Sequence, residues 1–155
     1  MPQCDEADAF KRYISSSLAR IIACLDGLTE AEVGWRPAAA DANRLRDLAL
    51  HTIANAEANV LGVVGGLAID RAREDEFRSD ATADATRARL ADALTAIGRC
   101  LDALSPGDLA APREHPRRGR LPVREVLLVA ARHAAEHVGQ AELTRDMVLA
   151  VREPS

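Results

Sequence analysis

Aromatic side chains are nearly missing from this chain: one tryptophan, one tyrosine and two phenylalanines make up 3% of 155 residues. A chain so poor in aromatic and β-branched runs is a poor sheet former, whereas its abundant alanine and leucine favour helix. Lysine is scarcer still, since Lys11 stands alone and arginine supplies the rest of the basic charge. The balance is acidic, at −4, which argues against a nucleic-acid partner held by phosphate contacts. No apolar run approaches the roughly 20 residues that span a bilayer, and no leader pattern opens the chain. The sequence therefore predicts a soluble, cytoplasmic protein with no membrane partner. Three cysteines form no CxxC pair and leave an odd count, which fits a reducing compartment. Cys24, beside Ile21, Ile22 and Leu25, and Cys100, beside Ile97 and Leu101, are expected as buried thiols. Cys4 lies near the terminus and carries no expectation.

What is present is helical periodicity. The length suits one domain over residues 1–155, able to bury a core without staples. A first helix is expected from about Asp5 to Asp26, with Ile14, Leu18, Ile21, Ile22 and Leu25 as its apolar stripe and Gly27 at its end. Thr29-Glu-Ala-Glu32 is a capping-box pattern that starts one short turn. Trp35, in the loop before Pro37, is expected to anchor that loop to the core. A second helix begins near Asp41 or Asn43 and carries Leu45, Leu48, Ile53, Val60 and Val63; Gly62, Gly65 and Gly66 bend or stop it. The charged stretch Arg71 to Asp80 reads as a connection. Leu90, Leu94, Ile97, Leu101 and Leu104 then alternate steps of four and three, the seam of a bundle. Residues 106–122 hold four prolines and read as an arginine-rich loop, after which a last helix runs from about Pro122 to Val151. Four amphipathic helices make an all-α four-helix bundle. A ten-residue linker spans about 33 Å when extended, enough to run along a helix of about 30 Å, so the middle helices are parallel or antiparallel on pattern alone.

Three of the four histidines fall on inward faces. His133 and His137 are four apart on the last helix, which stacks their rings on one face among small alanines. His51 lies one turn beyond Leu48 on the second helix, followed by Asn55 and Asn59 in a row of amides that suits a polar cavity wall. A lone inward histidine is more often a satisfied core residue than a ligand. Two at this spacing with a third on another inward face point to a divalent metal with open positions, zinc or nickel. Asn55, Glu57, Glu136 and Gln140 are candidate partners for the imidazole N–H groups. HxxxH lacks the glutamate of HExxH zinc proteases, and nothing marks Glu136 as a general base. His115 reads as a solvated loop histidine. Around it Arg113, Arg117, Arg118, Arg120 and Arg124 form a positive patch, either simply solvated or, through Arg113, Arg117 and Arg120, receiving an anionic substrate.

Three segments carry a family resemblance. Leu25-Asp-Gly-Leu-Thr-Glu-Ala-Glu-Val-Gly-Trp-Arg-Pro37 resembles the stretch after the first helix in the DinB/YfiT superfamily. Leu48-Ala-Leu-His51 resembles its second-helix histidine motif, and Arg132 to Arg145 resembles its last-helix signature HxxxHxGQxxxxR. They occur in the family's order and span nearly the whole chain. The resemblance implies an up-down-down-up four-helix bundle, often a homodimer, with a divalent metal on His51, His133 and His137. Characterised members include transferases and an isomerase that use a low-molecular-weight thiol such as bacillithiol or mycothiol. Some mycothiol-using members have glutamate at one last-helix ligand; this chain has histidine at both, which argues against the isomerase reaction.

The resemblance thus implies a metal-dependent transferase that activates a mycothiol-like thiol towards an electrophile, in detoxification or stress response. No protein cysteine takes part in such a scheme, and no catalytic side chain is identified. The competing reading is a non-catalytic metal-binding or interaction bundle in which the histidines are structural.

Overall fold

The computed structural model describes residues 4–152. Its first long helix, α1 (Asp5–Ala23), ends three residues earlier than its apolar stripe predicts. The chain leaves it through tight turns, Leu25 N–H donating to Ile22 and Asp26 N–H to Ala23, and reverses at Gly27, whose φ of 70° suits a residue without a Cβ. The expected capping box is present. Glu32 N–H donates to Thr29 Oγ1 at 3.3 Å, Thr29 N–H donates to the Glu32 carboxylate at 2.7 Å, and a single turn, α2 (Glu30–Val33), follows. Trp35 is half-buried and packs against the core, as a loop anchor should.

Helix α3 (Leu45–Ala56) starts at Arg44, not at Asp41 or Asn43. Asp47 sets that start. Its fully buried carboxylate accepts from Arg44 N–H at 3.2 Å and from the Arg44 guanidinium at 2.8 Å, so the first turn is capped from inside the helix. Beyond Ala56 the helix widens into π-helical turns over Glu57–Val64, with Gly65 N–H reaching back to Val60 and Leu67 N–H reaching back to Leu61. The glycines here permit a close approach: a Cβ on Gly65 would lie 2.8 Å from Leu61 O and 3.2 Å from Cys100 Sγ.

The connection between the two middle helices contains a short turn, α4 (Arg73–Glu76), and leads to α5 (Ala83–Asp102), capped by Thr82. Ion pairs and side-chain contacts settle the topology that periodicity leaves open. Arg46 faces Asp80 at 3.6 Å, Glu57 faces Arg89 at 2.7 Å, and Cys100 Sγ reaches Val60 O at 3.5 Å, so α3 and α5 run parallel. Lys11 meets Asp102 at 2.6 Å and Asp26 meets Arg87 at 2.9 Å, so α1 is antiparallel to α5. The linker is therefore a crossover along the bundle.

Residues 106–122 are more ordered than an arginine-rich loop. They form a capped turn, α6 (Pro106–Ala110), and a hairpin of β1 (Pro112–His115) and β2 (Gly119–Pro122), registered with Pro112 opposite Pro122 and His115 opposite Gly119. The last helix, α7 (Val123–Val151), runs parallel to α1, with Glu6 on Arg124 at 3.0 Å and Arg20 on Glu142 at 2.6 Å. The architecture is thus an all-α up-down-down-up bundle with one small hairpin. Ile14 and Leu18 of α1, Leu48 and Ile53 of α3, Ile97 and Leu101 of α5 and Leu127 of α7 fill its core. Cys24 is buried and Cys100 half-buried, and burial raises both thiols above their ordinary pKa; Cys4, near the terminus, is buried as well. Among the described residues no helix is long and apolar enough to cross a membrane.

Candidate metal centre

His51 projects from the middle of α3 one turn after the core residue Leu48 and is buried. His133 and His137 project from consecutive turns of α7, beside the buried small residues Ala130 and Ala134 that leave room for rings. The close packing of α3 on α7 brings the three together. His133 Nε2 lies 3.1 Å from His51 Nε2 and 3.2 Å from His137 Nε2, and one nitrogen from each ring falls within 4.8 Å of the others.

Hydrogen bonds on the far side of two rings decide what those nitrogens present. His51 Nδ1–H donates to Glu76 Oε2 at 2.7 Å, and His137 Nδ1–H donates to Gln140 Oε1 at 2.6 Å. With Nδ1 protonated in a neutral ring, Nε2 carries a lone pair, so His51 and His137 both aim lone pairs at His133. One proton on His133 Nε2 can serve only one of them, and His133 Nδ1 is buried with no partner among the described residues. A cation resolves the frustration for all three. The spacing agrees: two imidazole nitrogens at ligand distance from one tetrahedral ion stand about 3.3 Å apart.

The electrostatics keep the His51 and His133 rings neutral, the form that binds metal. Burial lowers the His51 pKa, an effect that the hydrogen bond and charge of Glu76 offset only in part. His133 is pushed down to about 3 by burial first and then by its two histidine neighbours. For Glu76, burial raises the pKa, but hydrogen bonds from Arg71 and His51 outweigh it and keep the carboxylate ionised. Arg71 clamps Glu76 through Nε at 2.6 Å and Nη2 at 3.0 Å, and Phe77 lies against the His51 ring with centroids 5.0 Å apart.

A family model of the DinB superfamily matches residues 13–141, a span that contains His51, His133 and His137. The chain belongs to the DinB superfamily. No curated protein matches it by sequence. A conserved protein from Enterococcus faecalis, known from its crystal structure, is similar in fold, with a TM-score of 0.73 over 92% of this chain and 96% of that one at 17% identity.

Within this DinB-superfamily bundle, the other residues singled out from sequence divide. Gln140 sits on His137, but Glu57 is bound to Arg89 and Glu136 lies 3.6 Å from Arg132 on the exposed face, so neither reaches an imidazole. Asn55 lines the cavity beside the histidines and accepts from Asn59 Nδ2 through its backbone and side-chain oxygens. His115 is not a solvated loop residue. It is half-buried on β1, accepts at Nδ1 from Arg117 N–H, and donates from Nε2–H to Asn59 Oδ1 at 3.1 Å. Of the arginines expected to meet substrate, Arg117 lines the cavity, whereas Arg113 turns to its neighbour's carbonyl and Arg120 is exposed on β2. The residues that sequence reading missed are Glu76 and Arg71, in the charged stretch that reads as a connection. The lone Phe77 within that run was the one signal that it folds back.

Proposed function

We propose that His51, His133 and His137 hold a divalent cation, zinc or nickel, and that the protein is a metal-dependent transferase acting on a low-molecular-weight thiol and an electrophile. The convergence of three Nε2 atoms, two with their lone pairs fixed inward, carries this reading. Glu76 and Gln140 hold two rings in the tautomer that offers Nε2, and Arg71 keeps Glu76 charged. Three protein ligands leave positions open, as catalytic sites do and structural ones do not. A divalent cation bound there supplies Lewis acidity, lowering the pKa of a thiol that coordinates it. The chain's own thiols stay out of the reaction, since Cys24 and Cys100 are packed away and raised in pKa by burial. The thiol class, mycothiol-like, and a role in detoxification or stress response rest on the family resemblance, as do a homodimeric state and a cytoplasmic setting.

Metal analysis of the purified protein beside a His133→Ala variant, followed by a thiol-conjugation assay, tests this reading. Stoichiometric metal in the wild type and its loss in the variant are expected, with conjugation only in the metal-bound protein. A wild type purified without metal that also fails to take up added zinc or nickel overturns the site. Bound metal without turnover of any cellular thiol leaves the non-catalytic bundle as the reading.

A further inference from the structure

Beside the histidines lies a cavity of about 280 Å³ whose charge is of one sign. His51 and His133 form part of its floor, Arg71, Arg73, Arg117, Arg118 and Arg132 stand around it, and among the described residues no carboxylate lines it. These arginines come from three separate places: the crossover between α3 and α5, the hairpin turn, and α7. In a chain of net charge −4, their meeting at one cavity is a local inversion. Two are partly neutralised, Arg71 by Glu76 and Arg132 by Glu136. Arg73 lies 5.9 Å over the Phe77 ring, and neither it nor Arg117 nor Arg118 has an ion-pair partner among the described residues.

The polar wall, by contrast, is satisfied internally. His115 donates to Asn59, Asn59 donates to Asn55, and the Arg117 backbone N–H donates to His115. That chain ties the hairpin to the π-helical turns and sets Arg117 and Arg118 at the mouth. His115 registers the resulting field: burial, then the Arg118 charge, lowers its pKa, with Arg117 adding to the effect. Three unpaired guanidiniums around one cavity repel one another, and their forks match carboxylate or phosphate oxygens.

We propose that this cavity binds a small dianion, a molecule bearing two carboxylates or a phosphate, through Arg73, Arg117 and Arg118. Taking that dianion as the electrophile or its thiol partner rests on the transferase reading; the binding itself does not. It places an acidic substrate directly over the histidine cluster and excludes neutral ones.

Titration calorimetry at low ionic strength with succinate, with inorganic phosphate, and with neutral succinamide tests the assignment. At least one anion is expected to bind, succinamide not to, and an Arg117→Gln/Arg118→Gln variant to bind about tenfold or more weakly with its metal content unchanged. Succinate alone identifies a dicarboxylate, phosphate alone a phosphate group. Failure of both anions, equal binding of succinamide, or an unaffected double variant overturns the proposal. So does loss of anion binding in chelator-stripped wild type, because the anion is then a ligand of the ion and not of the arginines. Arginine-dependent binding to a wild type that neither carries metal as purified nor takes up added zinc or nickel leaves the dianion site standing and removes the transferase reading.

Discussion

At His51 the position of one proton follows from Glu76. An ionised, buried carboxylate 2.7 Å from Nδ1 keeps the proton there and leaves the lone pair on Nε2. Glu76→Gln can still accept that hydrogen bond but loses the charge and the clamp from Arg71. We expect metal affinity to fall about 10–100-fold, as for other partners of ligating histidines, measured by competition with a chromophoric chelator. Glu57→Gln, bound to Arg89 away from the site, is expected to leave it unchanged. The His133 ring gives a second test. Its pKa drops from 6.5 in the free side chain to about 3 in the fold. Between those values the unfolded chain binds the proton and the folded chain does not, so stability falls as pH falls through that window. The melting temperature of metal-stripped protein should decline across it, and more shallowly in a His133→Asn variant; parallel curves would exclude the assignment. The cluster of His51, His133 and His137 was legible from spacing because all three fall on inward faces of their helices. Glu76 was not, because a carboxylate in a charged run looks the same whether the run is solvated or folded back over a ring.

Among the elements, the second helix departs furthest from its pattern. Its glycines announce an interruption, but not that the backbone widens into π-helical turns before it ends. The widening accompanies close packing, with Gly65 against Cys100 of α5. Gly65→Ala is therefore expected to cost about 1–3 kcal/mol, since its Cβ would meet the Leu61 carbonyl oxygen at 2.8 Å as well as Cys100 Sγ. Gly139 lies within α7, where an added Cβ would meet nothing within 4 Å, so Gly139→Ala is expected to stabilise by about 0.5–1 kcal/mol. Urea unfolding of both variants checks the opposite signs. The hairpin shows the reverse case. Its prolines and arginines read as loop because four-residue strands carry too little alternation to register. Its order comes from pairing between strands and from the His115–Asn59 contact, neither of which is local.

In the molecule as a whole, α3 and α7 bring together histidines that lie 82 positions apart in the chain. An unfolded chain offers no such site, so metal that binds the fold must stabilise it. Zinc at a thousandfold over its dissociation constant should add about 4 kcal/mol and raise the melting temperature, and His133→Ala should abolish the shift. A wild type whose melting temperature ignores added zinc and nickel would contradict the site. Composition and periodicity were enough for helix content, the bounds of the long helix α7, and the inward faces that carry the histidines, because each depends on neighbours within a few turns. The direction of α5 relative to α3 was not, since a linker of that length permits either course. Contacts from Arg46 to Asp80, Glu57 to Arg89 and Val60 to Cys100 select the parallel one. The same crossover carries Arg71 and Glu76 to His51 and Arg73 to the cavity, so the surroundings of the site follow from packing between segments that no local pattern relates.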